Sequence, residues 1–166
     1  MIPEIKKPDV IIVDDHQTFR QSLASILNIE NIANVIGEAS DGLTFIKLLK
    51  HLKPDLVIMD IDMPVMNGME ATQKALELIP DLKIIAYTMS VNDECCKKMI
   101  ALGVKGYLLK AFGINELEIA IQQVMMDENY FSNQHPTIIK NKGSLDSIKK
   151  LTENIGLSNL KNFTES

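Results

Sequence analysis

Residues 10–16 read VIIVDDH: four apolar β-branched residues, Val10 to Val13, run straight into two acids, Asp14 and Asp15. A strand with apolar side chains on both faces is buried on both faces, which is the habit of parallel sheets covered by helices. Four further short runs follow at Val35–Ala39, Leu56–Met59, Ile84–Tyr87 and Tyr107–Leu109. Between the runs the apolar residues change to helical spacing. Phe19, Leu23, Ile26 and Leu27 share one face, as do Phe45, Ile46, Leu49 and Leu52. Met69, Thr72, Leu76 and Ile79 predict a third helix that ends before Pro80. Ser90 with Asp93, and Asn115 with Glu118, have the spacing of capping boxes for a fourth and a fifth helix, the last carrying Leu117, Ile121 and Val124.

Five β-α units in succession, joined by short connections, predict an α/β fold: a (βα)5 doubly wound parallel sheet of the flavodoxin-like kind, with strand order 2-1-3-4-5. The composition changes near Gln134 and becomes polar, with interspersed lysines. Ser144 could cap a short helix there, with Leu145, Ile148, Leu151 and Ile155 on one side and Gly156 after its end. The expected organisation is one domain over residues 8–132 and a linker with a short helical tail over 133–166, too short for a complete second domain.

Sites in doubly wound sheets lie outside the carboxyl ends of the strands, where the strand order reverses. Here that reversal falls between the first and third strands. Asp14 and Asp15 end the first strand and Asp60 ends the third, so three carboxylates distant in sequence should converge. Two carboxylates about 4 Å apart repel by roughly 4 kcal/mol at an effective dielectric near 20. Either protons or a cation must relieve this, and an all-oxygen site with open coordination positions suits Mg²⁺. Thr88 ends the fourth strand and Lys110 the fifth. A hydroxyl and an ammonium beside carboxylates and a metal are the parts required for phosphoryl transfer, with Asp60 the best candidate nucleophile because its strand is central.

These positions carry a resemblance. VDDH at Val13–His16, MDIDMPVMNG at Met59–Gly68, YTMS at Tyr87–Ser90 and GYLLK at Gly106–Lys110 are similar to the CheY-like receiver domains of two-component response regulators, over about Pro8 to Ser132. The resemblance implies that Asp60 is the phosphoacceptor. It implies that Asp15 ligates Mg²⁺ directly, that Asp14 helps through water, and that the backbone carbonyl of Asp62 completes the protein ligands. It implies that Thr88 and Lys110 engage the phosphoryl group and that Tyr107 is a switch aromatic; the alternative for Tyr107 is a packed strand residue. The implied donor is a sensor histidine kinase or a phosphotransfer protein, and the implied readout is a surface of helix four, strand five and helix five. The DDH start, MNGMEAT and GYLLKA look closest to receivers of the NarL/LuxR type, whose parent proteins control transcription. Many receivers carry proline after the lysine; Ala111 stands there in this sequence, so no cis peptide is expected before it.

Composition narrows the remaining classes. Of 166 residues, 46% are hydrophobic and 23% charged, an ordinary globular balance. The net charge of −5 argues against DNA binding by this chain alone. No apolar run reaches the ~18 residues of a membrane span, and no secretory signal is evident, so a cytoplasmic location is expected. Cys95 and Cys96 are adjacent and make neither a disulfide framework nor a metal pattern. A homodimer through the tail is one possibility. His16 reads as a helix-start surface residue or a polar group at the site's edge. Two other classes compete. Asp60-Ile61-Asp62 is a DxD with later Thr and Lys, as in haloacid-dehalogenase-like phosphatases, but those place the DxD on the first strand and need further acids beyond the lysine. A pseudo-receiver that binds partners without phosphorylation is disfavoured by the intact Asp14, Asp15, Asp60, Thr88 and Lys110 set. The expected protein is therefore not an enzyme beyond self-phosphorylation and slow autodephosphorylation.

Overall fold

A computed structural model describes residues 6–132. The first apolar run becomes β1 (Asp9–Val13), followed by α1 (Gln17–Ile29) and β2 (Asn34–Ala39). Next come α2 (Gly42–Leu48), β3 (Leu56–Met59), α3 (Gly68–Leu78) and β4 (Lys83–Thr88). Then follow α4 (Asp93–Leu102), β5 (Gly106–Leu109), a 3₁₀ turn (Lys110–Phe112), α5 (Gly113–Met125) and a two-residue strand, β6 (Tyr130–Phe131). All neighbours pair in parallel, in the order β2-β1-β3-β4-β5-β6.

The expected order of the first five strands is present, and β6 extends the sheet by one strand beyond it. No apolar run announced β6, because two residues of strand carry no periodicity. It forms because the Tyr130 amide donates to Lys105 O at 2.8 Å and the Ser132 amide donates to Tyr107 O at 3.1 Å.

The central strands are buried on both faces, as continuous apolar runs require. Val10 and Ile12 face one side of the sheet, where Leu23, Ala24 and Leu27 of α1 meet Leu117, Ile121 and Val124 of α5. Ile11 and Val13, on the opposite face by strand alternation, are fully buried too. Burying each such aliphatic side chain contributes about 1.5–3 kcal/mol, so the sheet centre holds much of the fold's driving force.

Three local expectations need correction. α2 stops at Leu48, so Leu49 and Leu52 lie past its end; Leu52 turns back over β2, where a Cβ on Gly37 would meet its Cδ1 at 2.9 Å. The cap of α4 is Asn92, whose side chain accepts from the Cys95 amide at 2.9 Å, and not Ser90. Ser90 instead donates its amide to the Thr88 hydroxyl at 3.2 Å. α5 begins at Gly113, so Asn115 and Glu118 sit inside the helix and form no capping box; the 3₁₀ turn after Lys110 feeds the chain directly into it. Among the described residues a capping box is formed in α3, by Asn67 and Glu70. No cis peptide bond occurs among the described residues. The expected tail helix with Leu145, Ile148, Leu151 and Ile155 falls outside the described residues.

Candidate functional site

The carboxyl ends of β1, β3 and β5 deliver the predicted chemistry to one place. β1 ends at Val13 and the chain turns at Asp14, whose amide bonds Ala39 O at 3.0 Å. β3 ends at Met59, and the Asp60 amide bonds back to Val13 O at 2.8 Å. These two bonds fix both acids beside the same strand end. Asp14 is 2% exposed and Asp60 5%. Ligand atoms of Asp14, Asp15, His16 and Asp60 lie within 4.8 Å of one another, close enough to share one cation.

Lys110 enters from the far side, at the end of β5. Its Nζ donates to Asp14 Oδ2 at 2.5 Å and lies 3.5 Å from Asp60 Oδ1, with the lysine side chain 4% exposed. It also rests 4.4 Å over the Phe19 ring of α1, a cation–π contact that sequence reading did not assign. Phe19 read there as a plain core residue of the helix face. Arg20 was missed as well: its guanidinium donates to Asp14 O at 2.5 Å and pairs with Glu38 at 3.0 Å, tying the β1 turn to β2.

The electrostatics follow from burial. Asp60 has its pKa pushed up to about 6, first by desolvation. The Lys110 charge opposes that rise, while the Asp14 and Asp15 carboxylates add to it. Oδ1 of Asp15 is buried and accepts no hydrogen bond among the described residues, although His16 Nδ1 lies 3.0 Å away. A buried carboxylate oxygen with only a histidine nitrogen near it, beside two more carboxylates, is the donor set a hard cation satisfies. The acidic pocket of Asp14, Asp15 and Asp60 can therefore bind a metal ion. His16 precedes α1 as its N-cap residue, exposed, and its imidazole borders the acids.

The remaining predicted residues sit at the same sheet edge but apart from this cluster. Thr88, 1% exposed, holds its hydroxyl on the Ser90 amide. A cavity of about 30 Å³ lies between Thr88, Asp62, Asn92, Cys95 and Tyr107. Tyr107 is 1% exposed, and burial pushes its hydroxyl pKa well up. The Asp62 side chain is exposed and outside the acidic cluster.

Residues 10–122 match the family model for the response regulator receiver domain. This chain is a member of the response regulator receiver family. The receiver is 38% identical over 126 residues to the response regulator GacA of Pseudomonas aeruginosa, an alignment covering 75% of this chain and 58% of GacA. The chain thus spans somewhat over half the length of the curated relatives it matches. Its fold superposes on a LuxR-family two-component response regulator from Aurantimonas sp. SI85-9A1 with a TM-score of 0.73 at 23% identity, covering 91% of this chain and 99% of that one. The isolated receiver of RcsB from Salmonella enterica serovar Typhimurium, solved with the phosphomimetic BeF₃⁻, gives a TM-score of 0.71 at 25% identity over 77% of this chain and 95% of that one. The receiver is a signalling domain of two-component systems, and no described helix is long and apolar enough to cross a membrane.

Proposed function

We propose that this receiver accepts a phosphoryl group on Asp60 from a histidine kinase or a phosphotransfer protein. The observation that carries the reading is the meeting of buried Asp60 with Asp14, Asp15 and Lys110 at the ends of three strands. An Asp60 carboxylate oxygen forms the new P–O bond as the donor's P–N bond breaks; the leaving imidazole keeps the electron pair and takes up a proton. Lys110 supplies positive charge where charge develops on the transferring group. Asp15 and Asp60, with Asp14 through water and the Asp62 carbonyl, would hold Mg²⁺. That ion neutralises the phosphoryl oxygens and the acid cluster when bound. After transfer, the dianionic group offers Thr88 a partner stronger than its bond from Ser90, and Tyr107 responds across the shared cavity.

The product is a switched state of one protein, so the chain works as a phosphoacceptor and not as an enzyme turning over substrate. Exposure of Asp62 weighs against a phosphatase that uses it as a buried general acid. The output we assign is transcriptional control, because a relative such as DegU of Brevibacillus brevis is a transcriptional regulatory protein. The net charge of −5 over the chain argues against DNA binding by this chain alone. Two thiols without a disulfide among the described residues fit a cytoplasmic location, where kinase and receiver would meet. The decisive test is intact mass after incubation with Mg²⁺ and a small acyl-phosphate donor. The expected result is one phosphoryl group on the wild type and none on Asp60→Asn; no gain by the wild type would favour phosphorylation-independent partner binding.

A further inference from the structure

β6 closes the open edge of the strand that carries Tyr107. Paired neighbours on adjacent strands point to the same side of a sheet. Tyr107 pairs with Phe131 and Gly106 with Tyr130, so the Phe131 ring stands beside Tyr107 on the α4 side, while Tyr130 faces α5. Tyr130 is anchored there: its hydroxyl donates to Glu116 Oε1 of α5, and it packs against the α1–α5 core. Gly106 permits the approach, since a Cβ there would meet Ile85 at 2.9 Å and Tyr130 O at 3.3 Å. Just past the strand, Ser132 is 5% exposed and bonds Tyr107 O through its amide.

The consequence concerns where Tyr107 can go. A strand at the edge of a sheet would leave an aromatic ring open on one side, yet Tyr107 is 1% exposed. Cys95 of α4 lines the same cavity as Tyr107, and β6 pairs along the outer edge of its strand. On its inner side, the cleft shared with Thr88 is about 30 Å³, room for water and far less than a phenol ring needs. Drawing the Thr88 side chain toward Asp60 enlarges that space and relieves the buried position of Tyr107.

We propose that Phe131 and the β6 strand are a positioning clasp of the switch: they hold Tyr107 in its buried position, and phosphorylation of Asp60 tightens them. This rests on the phosphoacceptor reading given above. Because linkage is reciprocal, whatever favours the buried Tyr107 favours docked β6, and docked β6 favours the buried Tyr107. Asp60 is thereby coupled to Ser132, through Thr88, Tyr107 and a strand of two residues.

The test is residue-resolved amide exchange on the full 166-residue chain with Mg²⁺, with and without beryllium trifluoride. Loading at Asp60 is read separately from the fluorine resonances of the bound analogue. The Tyr130 and Ser132 amides face β5, whereas strand alternation turns the Phe131 amide away and makes it an internal control. The expected result is at least fivefold slower exchange at Tyr130 and Ser132 on loading, with Phe131 changed less than twofold. In Phe131→Ala the analogue should still load, but the slowing should vanish and the Tyr107 ring resonances should shift in the unloaded protein; Phe131→Leu should keep part of both effects. Loading with exchange at Tyr130 and Ser132 unchanged within twofold overturns the clasp and leaves the phosphoacceptor reading intact. Absence of fluorine signal from bound analogue overturns that reading, and the clasp with it.

Discussion

Lys110 Nζ lies 2.5 Å from Asp14 Oδ2, a buried ion pair that joins the ends of β5 and β1 across two intervening strands. Neither side chain is more than 4% exposed, so removing the cation strands a desolvated carboxylate. Breaking such a pair from one side commonly costs about 3–5 kcal/mol. Lys110→Ala should therefore lower unfolding free energy by about 3 kcal/mol in chelator. Saturating Mg²⁺ should recover part of this, because a bound cation replaces the missing charge. Urea titrations with chelator and with Mg²⁺ measure both; equal losses in the two conditions would contradict charge compensation as the role of the lysine.

Asp60 makes the second prediction. Its pKa is raised in the folded, metal-free protein from 3.8 to about 6, mainly by burial. Below pH 4 the group is protonated in both states and contributes no difference. Between pH 4 and 6 the unfolded chain releases the proton first, so the native state binds more protons and stability falls as pH rises. Above pH 6 the penalty is constant. Asp60→Asn removes it, and the variant should be more stable than the wild type by about 2 kcal/mol at pH 7.5 without metal, with the gap closing toward pH 4. Denaturation in chelator across that range checks the sign; a variant less stable than wild type at neutral pH would refute the assignment.

Much of this was legible because it depends on periodicity. Val10–Val13 and Leu56–Met59 read as strands buried on both faces, and the rule for doubly wound sheets brings Asp14, Asp15 and Asp60 to one strand edge. The details that escaped depend on contacts between distant residues. Phe19 under Lys110 and Arg20 on the Asp14 carbonyl look like ordinary positions of one amphipathic helix. β6 is too short to show a period, and it exists because β5 offers Lys105 O and Tyr107 O. The capping of α4 and the start of α5 went astray for a local reason: Ser90 and Asn115 have cap chemistry, but Asn92 and the 3₁₀ turn after Lys110 set where the helices begin.

Val65 carries a backbone that its side chain opposes. Its φ is +68° and it is 79% exposed, in the loop between Asp60 and α3. A left-handed conformation costs an L-residue roughly 1–2 kcal/mol, and a β-branched one is the least suited to it. Val65→Asn should raise stability by about 1 kcal/mol, since asparagine tolerates this region and the exposed valine loses little packing. Val65→Gly should gain less, because glycine adds entropy to the unfolded chain. Thermal melts of the three proteins order them; a loss of stability in Val65→Asn would show that the valine side chain contributes more than its backbone costs.

Gly68 is the reverse case, a glycine that helix propensity alone would replace. It opens α3, where alanine is ordinarily better by about 1 kcal/mol. Here a Cβ would lie 2.0 Å from Asp60 O and 2.8 Å from Ile61 Cα, both backbone atoms that cannot step aside. The Gly68 amide also bonds Ile61 O at 2.8 Å, so the helix start is held tight against the Asp60–Ile61 peptide. Gly68→Ala should destabilise by at least about 2 kcal/mol, as overpacking of a rigid contact does. It should also slow phosphorylation from a small donor at least tenfold by moving Asp60. Gly103→Ala supplies the comparison: φ is +107° there, with only Leu76 Cδ1 near, at 3.7 Å. That change should cost about 1 kcal/mol through backbone strain and leave the phosphorylation rate within twofold. Stability and rate measured on both variants separate the two effects; a Gly68→Ala protein that phosphorylates at the wild-type rate would mean that the loop yields without disturbing Asp60.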